Sequence, residues 1–357
     1  MYNKILLFIV VIICSYSCQD ERELAISENP VDMMSAIKVF AASQENPIFY
    51  TSLITSPDSL SRFSLNKRTK SNVTYRTYEF FNINSNRAYL YPANILKGKS
   101  IETQTFSPLL NEVDPITINI YSPSFWISKD VQKVSFSAYS KALYNGLNEA
   151  LEIKNISSSF VIDMNPFTYY DELKLAFGSD VNVKSLFRLD FNSNKITSKT
   201  GLILRFIKKN FSSEMSFPKD GNLLLNNSDI WNLNQYTPVY INSITYGSAG
   251  FLIIESEYNY EDVRDAVNTA LGSIITTGKL QINSYQKHIL NQSNTRVLII
   301  DDSNSILSGN WGIEYFAENV INSGTFSRDS PGAPIFYTVR KLSDNSPFYN
   351  TFTIEME

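Results

Sequence analysis

Between Phe167 and Phe191 the chain sorts its residues by parity. The odd positions read Phe167, Tyr169, Asp171, Leu173, Leu175, Phe177, Ser179, Val181, Val183, Ser185, Phe187, Leu189 and Phe191, and ten of these thirteen are apolar or aromatic. The even positions are mostly charged or amide. An extended chain with this alternation has one apolar and one polar face. Gly178-Ser179-Asp180 reads as a turn in the middle. It leaves about 11 residues on each side, the length of a tilted strand that crosses a bilayer. Three conformations satisfy the pattern: a membrane hairpin, a half-buried hairpin of an ordinary sheet, and a short helix over residues 170–177 (YDELKLAF).

Residue counts exclude most site chemistries. The 357 residues hold one histidine, His288, and two cysteines, Cys14 and Cys18. With no later thiol and no second imidazole, a zinc site or a Cys–His nucleophile cannot be assembled. Asp and Glu are scattered without a recognisable catalytic pair, and three tryptophans are few for a glycosidase cleft. The reading is a non-enzyme without cofactor or metal. Formal charge is −4 with no basic run, which argues against nucleic acid as a partner.

The N-terminus accounts for the cysteines. Lys4 precedes a nine-residue apolar run, residues 5–13, too short for a membrane-spanning helix and fitting a secretory signal. Ser15-Tyr16-Ser17-Cys18 resembles a bacterial lipobox, in which the cysteine is lipidated and becomes the new N-terminus; an ordinary signal peptide is the alternative. Gln19-Asp20-Glu21 resembles the acidic signal of surface-exposed Bacteroidota lipoproteins. The expectation is a signal peptide over 1–17, lipidation at Cys18, an acidic tether over 18–45, and a protein lipid-anchored at the outer membrane or cell surface, or else secreted.

The rest reads as mixed α and β. Helical spacing marks Ser135–Leu151 (Phe136, Tyr139, Leu143, Leu147, Leu151) and Tyr260–Ile275 (Val263, Val267, Leu271, Ile274). A third helix is expected over Gly312–Ser323. Strands are expected at Ile116–Tyr121, Gly201–Ile207, Val239–Thr245, Phe251–Ser256, Arg296–Ile300 and Ile335–Lys341. Gly178, Gly247 and Gly278 read as turn residues.

Five blocks then resemble, in order, the cholesterol-dependent (thiol-activated) cytolysins. They are SNRAYLYPANIL (85–96), LKLAFGSDVNVKSLFRLDFNS (173–193), PVYINSITYGSAGFLIIES (238–256), YEDVRDAVNTAL (260–271) and SGTFSRDSPGAPIFYTVRKLSDN (323–345). The resemblance implies a MACPF/CDC-like α+β fold, elongated and multidomain, with a central twisted antiparallel sheet flanked by helical clusters. It implies a pore-forming toxin subunit whose two clusters refold into transmembrane β-hairpins within an oligomeric ring. The first hairpin would present Phe167, Tyr169, Leu173, Leu175, Phe177, Val181, Val183, Phe187, Leu189 and Phe191 to lipid and turn at Gly178. The second would use Val263, Val267, Leu271 and Ile275, turning near Thr276-Thr277-Gly278 and returning through Leu280, Ile282, Ser284, Gln286 and His288. The implied division is a sheet domain at 46–83 and 336–357, a core domain at 84–156, 206–256 and 313–335, and a membrane-hairpin domain at 157–205 and 257–312.

Departures from the family pattern shape the remaining expectations. The chain ends at Glu357, where the family continues into a membrane-binding domain, so direct cholesterol binding is not expected of this chain. Asp301-Asp302 stands near the place of a Gly-Gly pair that loosens the family's edge strand, and Ser248 follows Tyr246-Gly247 in place of Arg. The pattern fits short cytolysin-like lipoproteins acting on target membrane lipid with a longer homologous subunit, as homo- or hetero-oligomers. A surface lipoprotein with a binding or structural role and no pore is the alternative.

Overall fold

The computed structural model describes residues 24–26, 71–83, 87–152, 158–189, 193–226, 233–301, 306–310, 312–321, 326–327 and 330–356. Cys18, the signal segment and Phe191 lie outside them, as do the tether and residues 46–70 apart from the three at 24–26. In chain order the strands are β1 (Leu24–Ile26), β2 (Ser71–Thr77), β3 (Glu79–Phe81), β4 (Ile95–Lys97), β5 (Ile116–Ser122), β6 (Phe125–Val131), β7 (Ser158–Phe167), β8 (Thr200–Met215), β9 (Pro238–Ser256), β10 (Asn294–Ile300), β11 (Ile306–Gly309), β12 (Ala333–Lys341) and β13 (Asn350–Met356). The α-helices are α1 (Gly98–Glu102), α2 (Phe136–Leu151), α3 (Lys174–Phe177), α4 (Val183–Phe187), α5 (Tyr260–Thr277), α6 (Ser284–Gln292) and α7 (Ile313–Phe316).

All strand pairs are antiparallel. The sheet runs β7-β8-β9-β10-β11, with β5-β6 joined to β8, and β4 and β12 joined to β9, while β13 and β2 form a separate two-stranded sheet. The central strands are buried on both faces because side chains alternate and both faces are covered. Leu202, Leu204 and Phe206 of β8 join α5 in one core; Ile203 and Ile207 join α3 and α4 in another. A third core gathers α2, β5 and the opposite end of β9. The arrangement is α+β around one antiparallel sheet.

Differences from the sequence expectation have local causes. β9 is one 19-residue strand instead of two. Gly247, read as a turn residue, lies inside it, where a Cβ would fall 1.8 Å from the Lys208 carbonyl oxygen. The β8–β9 register shifts between Lys209 and Phe211, and the β12–β9 register shifts between Pro334 and Phe336, so two bulges flank Gly247. Bulges bend and twist a strand; the sheet bends here without ending. In α2 the buried face is Tyr139, Ala142, Gly146, Leu147 and Ala150, while Phe136 and Leu151 are exposed. Small residues let the helix lie close: a Cβ on Gly146 would meet Ile120 Cδ1 at 2.3 Å. The third helix breaks into α7 and a π-helical turn over Ala317–Ile321, which press Phe316 and Val320 against the bare backbone of Gly250.

Gly247→Ala is expected to destabilise the protein by at least about 2 kcal/mol, because overpacking against backbone has no side-chain escape; urea unfolding against wild type measures it.

Candidate functional site

The segment between β7 and β8 folds onto one face of the sheet. Its helices α3 and α4 have only four and five residues, far below the dozen at which an isolated helix becomes marginal. Packing holds them. Phe177 stacks on Phe251 of β9 at 4.3 Å and meets Phe81 edge-on at 5.2 Å. Of the expected apolar set, Phe167, Leu173, Phe177, Val181, Val183 and Phe187 are buried, and Tyr169, Leu175 and Leu189 are half-buried. Tyr170 and Ala176, of the other parity, are buried beside them because the local conformation is helical. Gly178 serves as the left-handed C-cap of α3, at φ 58°.

Polar bonds fasten this cluster at two places. Toward the sheet, Arg205 is 5% exposed among apolar residues. Its guanidinium pairs with Asp163, its register partner on β7, at 2.7 Å and donates to the Ala176 carbonyl at 3.3 Å. Replacing a buried ion pair of this kind by apolar residues is often neutral, but removing one partner alone is costly. Toward β13, Lys174 Nζ bridges Asp180 at 2.9 Å and Asp171 at 3.5 Å and donates to the Thr353 carbonyl at 3.3 Å. Burial pulls the Lys174 ammonium down, and Asp180 and Asp171 outweigh it and hold it above its ordinary value. The Asn350 and Asn194 amides donate to the Gly178 and Glu355 carbonyls at 3.2 and 2.8 Å. These bonds tie the segment to the two-stranded sheet.

The segment between β9 and β10 covers the opposite face as α5 and α6. Asn259 caps α5 by accepting from the Asp262 N–H, and α6 opens with an Asn283–Gln286 capping box. Val263, Val267 and Leu271 are buried together with Ala266, Ala270 and Ile274. Ile275 lies in the helical backbone of α5, its side chain outside the described set. The expected return positions are helical from Ser284 onward; Ser284, Gln286 and His288 face away from the core, whereas Ile289 enters it. Gly278 is the C-cap of α5 at φ 68°.

The sheet edge beside this cluster is covered by a short strand. β11 pairs with β10 from Ile306 to Gly309, opposite Ile300 to Val297. Asp301 follows β10 directly; Asp302 lies outside the described residues. Among the described residues no helix is long and apolar enough to cross a membrane, which leaves crossing by strands untouched.

A family model described as thiol-activated cytolysin matches residues 42–351. The chain belongs to the thiol-activated cytolysin family. Thiol-activated cytolysins are pore-forming toxins and not enzymes. Tetanolysin of Clostridium tetani is 23% identical over 306 residues, covering 80% of this chain and 56% of the toxin. Pneumolysin of Streptococcus pneumoniae is 24% identical over 303 residues, covering 79% of this chain and 63% of the toxin. Among solved structures, a non-hemolytic pneumolysin superposes with a TM-score of 0.65 at 22% identity over 80% of this chain and 64% of that one. Listeriolysin O superposes with a TM-score of 0.64 at 16% identity over 81% and 63%. The chain thus spans less than two thirds of the length of these cytolysins, and the structural likeness at such identities establishes the fold.

Neither the Arg205–Asp163 pair nor the Lys174 ties were among the residues singled out from sequence. Charged residues inside an alternating strand are the one available signal, and exposed residues give the same signal. Arg205→Met, which leaves the Asp163 carboxylate without its cation, is expected to cost about 3 kcal/mol in urea unfolding, and the double variant Asp163→Val/Arg205→Met to regain most of it.

Glu255 accepts a 2.8 Å bond from Tyr170 of the first cluster, and burial pushes its carboxyl above the ordinary 4.5. An acid raised in the folded state gives stability that is complete below its unfolded value and is lost as pH rises through its folded value. Glu255→Gln is therefore expected to gain melting temperature relative to wild type as pH climbs from about 4.5 to 7, measured by calorimetry across that range.

Proposed function

We propose that this chain is a subunit of an oligomeric β-barrel pore, with both clusters refolding into membrane hairpins. The observation that carries the reading is the strand register. β7 and β8 pair continuously up to Phe167 opposite Gly201, each 17 residues from position 184. Continuing that ladder through the intervening segment gives two arms of about 16 residues, ample to cross a bilayer, with a tip near Lys184. Pairing then joins odd residues to odd residues. Phe177 would face Phe191, and Val181 would face Phe187, so the apolar parities of both arms fall on one side. The tip from register lies six residues beyond Gly178, the turn expected from composition.

The second segment supports the same geometry. β9 and β10 pair up to Glu255 opposite Asn294, and the extended ladder turns between Ile274 and Ile275, close to the expected turn. Its pairing joins odd to even residues, setting Val267 against Ile282 and Val263 against Gln286. Cys18 would anchor the chain by lipid at its own outer membrane or surface, a longer homologous chain would act beside it, and cholesterol would not be its direct ligand.

Single cysteines at residues 174–177, labelled with an environment-sensitive dye, test the reading on phosphatidylcholine–cholesterol vesicles with the longer homologous chain present. Quenching by bilayer-embedded nitroxide is expected at positions 175 and 177 and absent at 174 and 176, together with release of a trapped dye. Equal quenching at both parities, or no release, would sink it. Loss of both signals would favour the surface lipoprotein without a pore, to which Asp301 beside the edge strand points.

A further inference from the structure

The β7–β8 ladder sets Asp163 opposite Arg205, and the two side chains pair at 2.7 Å. Continued in the same register through the segment between the strands, the ladder makes one more such match. Asp180 falls opposite Arg188 across the tip near Lys184. Directly opposed residues share a sheet face, where opposite charges attract and like charges destabilise the pair. Both lie on the even parity, away from the apolar set. The β9–β10 ladder, continued likewise, sets Asp262 opposite Lys287. In neither extended segment does a charged residue face a like charge. A slip of two residues loses the first match in either direction, opposing Asp180 to Leu186 or to Asp190.

The folded chain uses these acids differently. Asp180 is held by Lys174 Nζ at 2.9 Å, with its side chain 58% exposed. Asp262 accepts from the Asn259 amide at 2.8 Å and the Tyr285 hydroxyl at 3.0 Å. Arg188 is exposed and sits at φ 52° as the left-handed C-cap of α4, a conformation costly for a residue with a Cβ. Lys174 and Asp180 occupy one arm, and extension would draw them about 20 Å apart. The folded tie and the hairpin match therefore exclude each other, and Asp180 is the residue common to both. Extension also frees Arg188 from its left-handed backbone.

We propose that Asp180 is a positioning residue that changes partner: Lys174 holds it in the folded segment, and Arg188 faces it in the hairpin and fixes the register there. Asp262 makes the parallel exchange in the second segment, toward Lys287. The inference rests on the pore reading and adds to it the contacts that keep the two arms in phase on their polar face. A carboxylate that served the folded tie alone would have no call on the charge at position 188.

Dye release from phosphatidylcholine–cholesterol vesicles, with the longer homologous chain present, tests it in Asp180→Arg, Arg188→Asp and the double reversal. Both positions are exposed, and melting temperatures confirm that each variant folds. Either single reversal opposes like charges across the hairpin and is expected to slow release at least about fivefold. The double reversal restores the match and is expected to return to within about twofold of wild type. A role in the folded tie alone gives the opposite pattern, faster release in Asp180→Arg and no change in Arg188→Asp. That pattern, or a double variant no faster than the singles, overturns the proposal while leaving the pore reading intact. No release by wild type would remove both.

Discussion

The central strands β8 and β9 bury almost every residue on both faces, and an antiparallel sheet in water cannot do so without two covers. Leu202, Leu204 and Phe206 need α5; Ile203, Ile207 and Phe251 need the short helices after β7. Each cover is inserted between two neighbouring strands of the sheet it protects. Strand, cover and next strand are thus continuous chain, and the covers cannot leave without exposing apolar faces that only another apolar phase could take up. At about 25 cal/mol per Å² of apolar surface, such exposure in water is prohibitive.

The two covers are built to different standards. The second is an 18-residue capped helix with a continuous apolar stripe, stable by ordinary helix rules. The first is fragmentary, and its conformation depends on one aromatic cluster around Phe177, one buried ion pair and a set of bonds to β13. A segment with little helical preference of its own loses little local structure on extending. In the proposed hairpin its parity pattern would find a use that the helical state ignores, since Tyr170 and Ala176 are buried here against the alternation.

Much of this was legible in the sequence where a residue's local preference agreed with its final surroundings. α5 starts at Tyr260 where its spacing marked it and runs two residues past the expected Ile275 to Thr277, and most strands announced themselves by β-branched and aromatic residues. The misreadings fall where long-range contact overrode a local signal. Gly247-Ser248-Ala249-Gly250 looks like a loop, yet the glycines stand there because Lys208 and Val320 leave no room for a Cβ. Phe136 and Leu151 kept the helical spacing of α2, but the small residues beside them decided which face met β5. Arg205 went unmarked because no local pattern reveals that Asp163 stands opposite it on β7 and the Ala176 carbonyl above it.

If the proposed hairpin forms, the mirror relation of β7 and β8 about position 184 also constrains how such a chain can vary. Adding one residue within either arm would turn every position between it and the tip to the opposite face, unless a bulge absorbed it. Adding two would keep the phase and merely lengthen the arm. Length variation in this stretch would therefore be quantised in pairs, a signature in gap statistics that neither a helix nor an unstructured loop would impose.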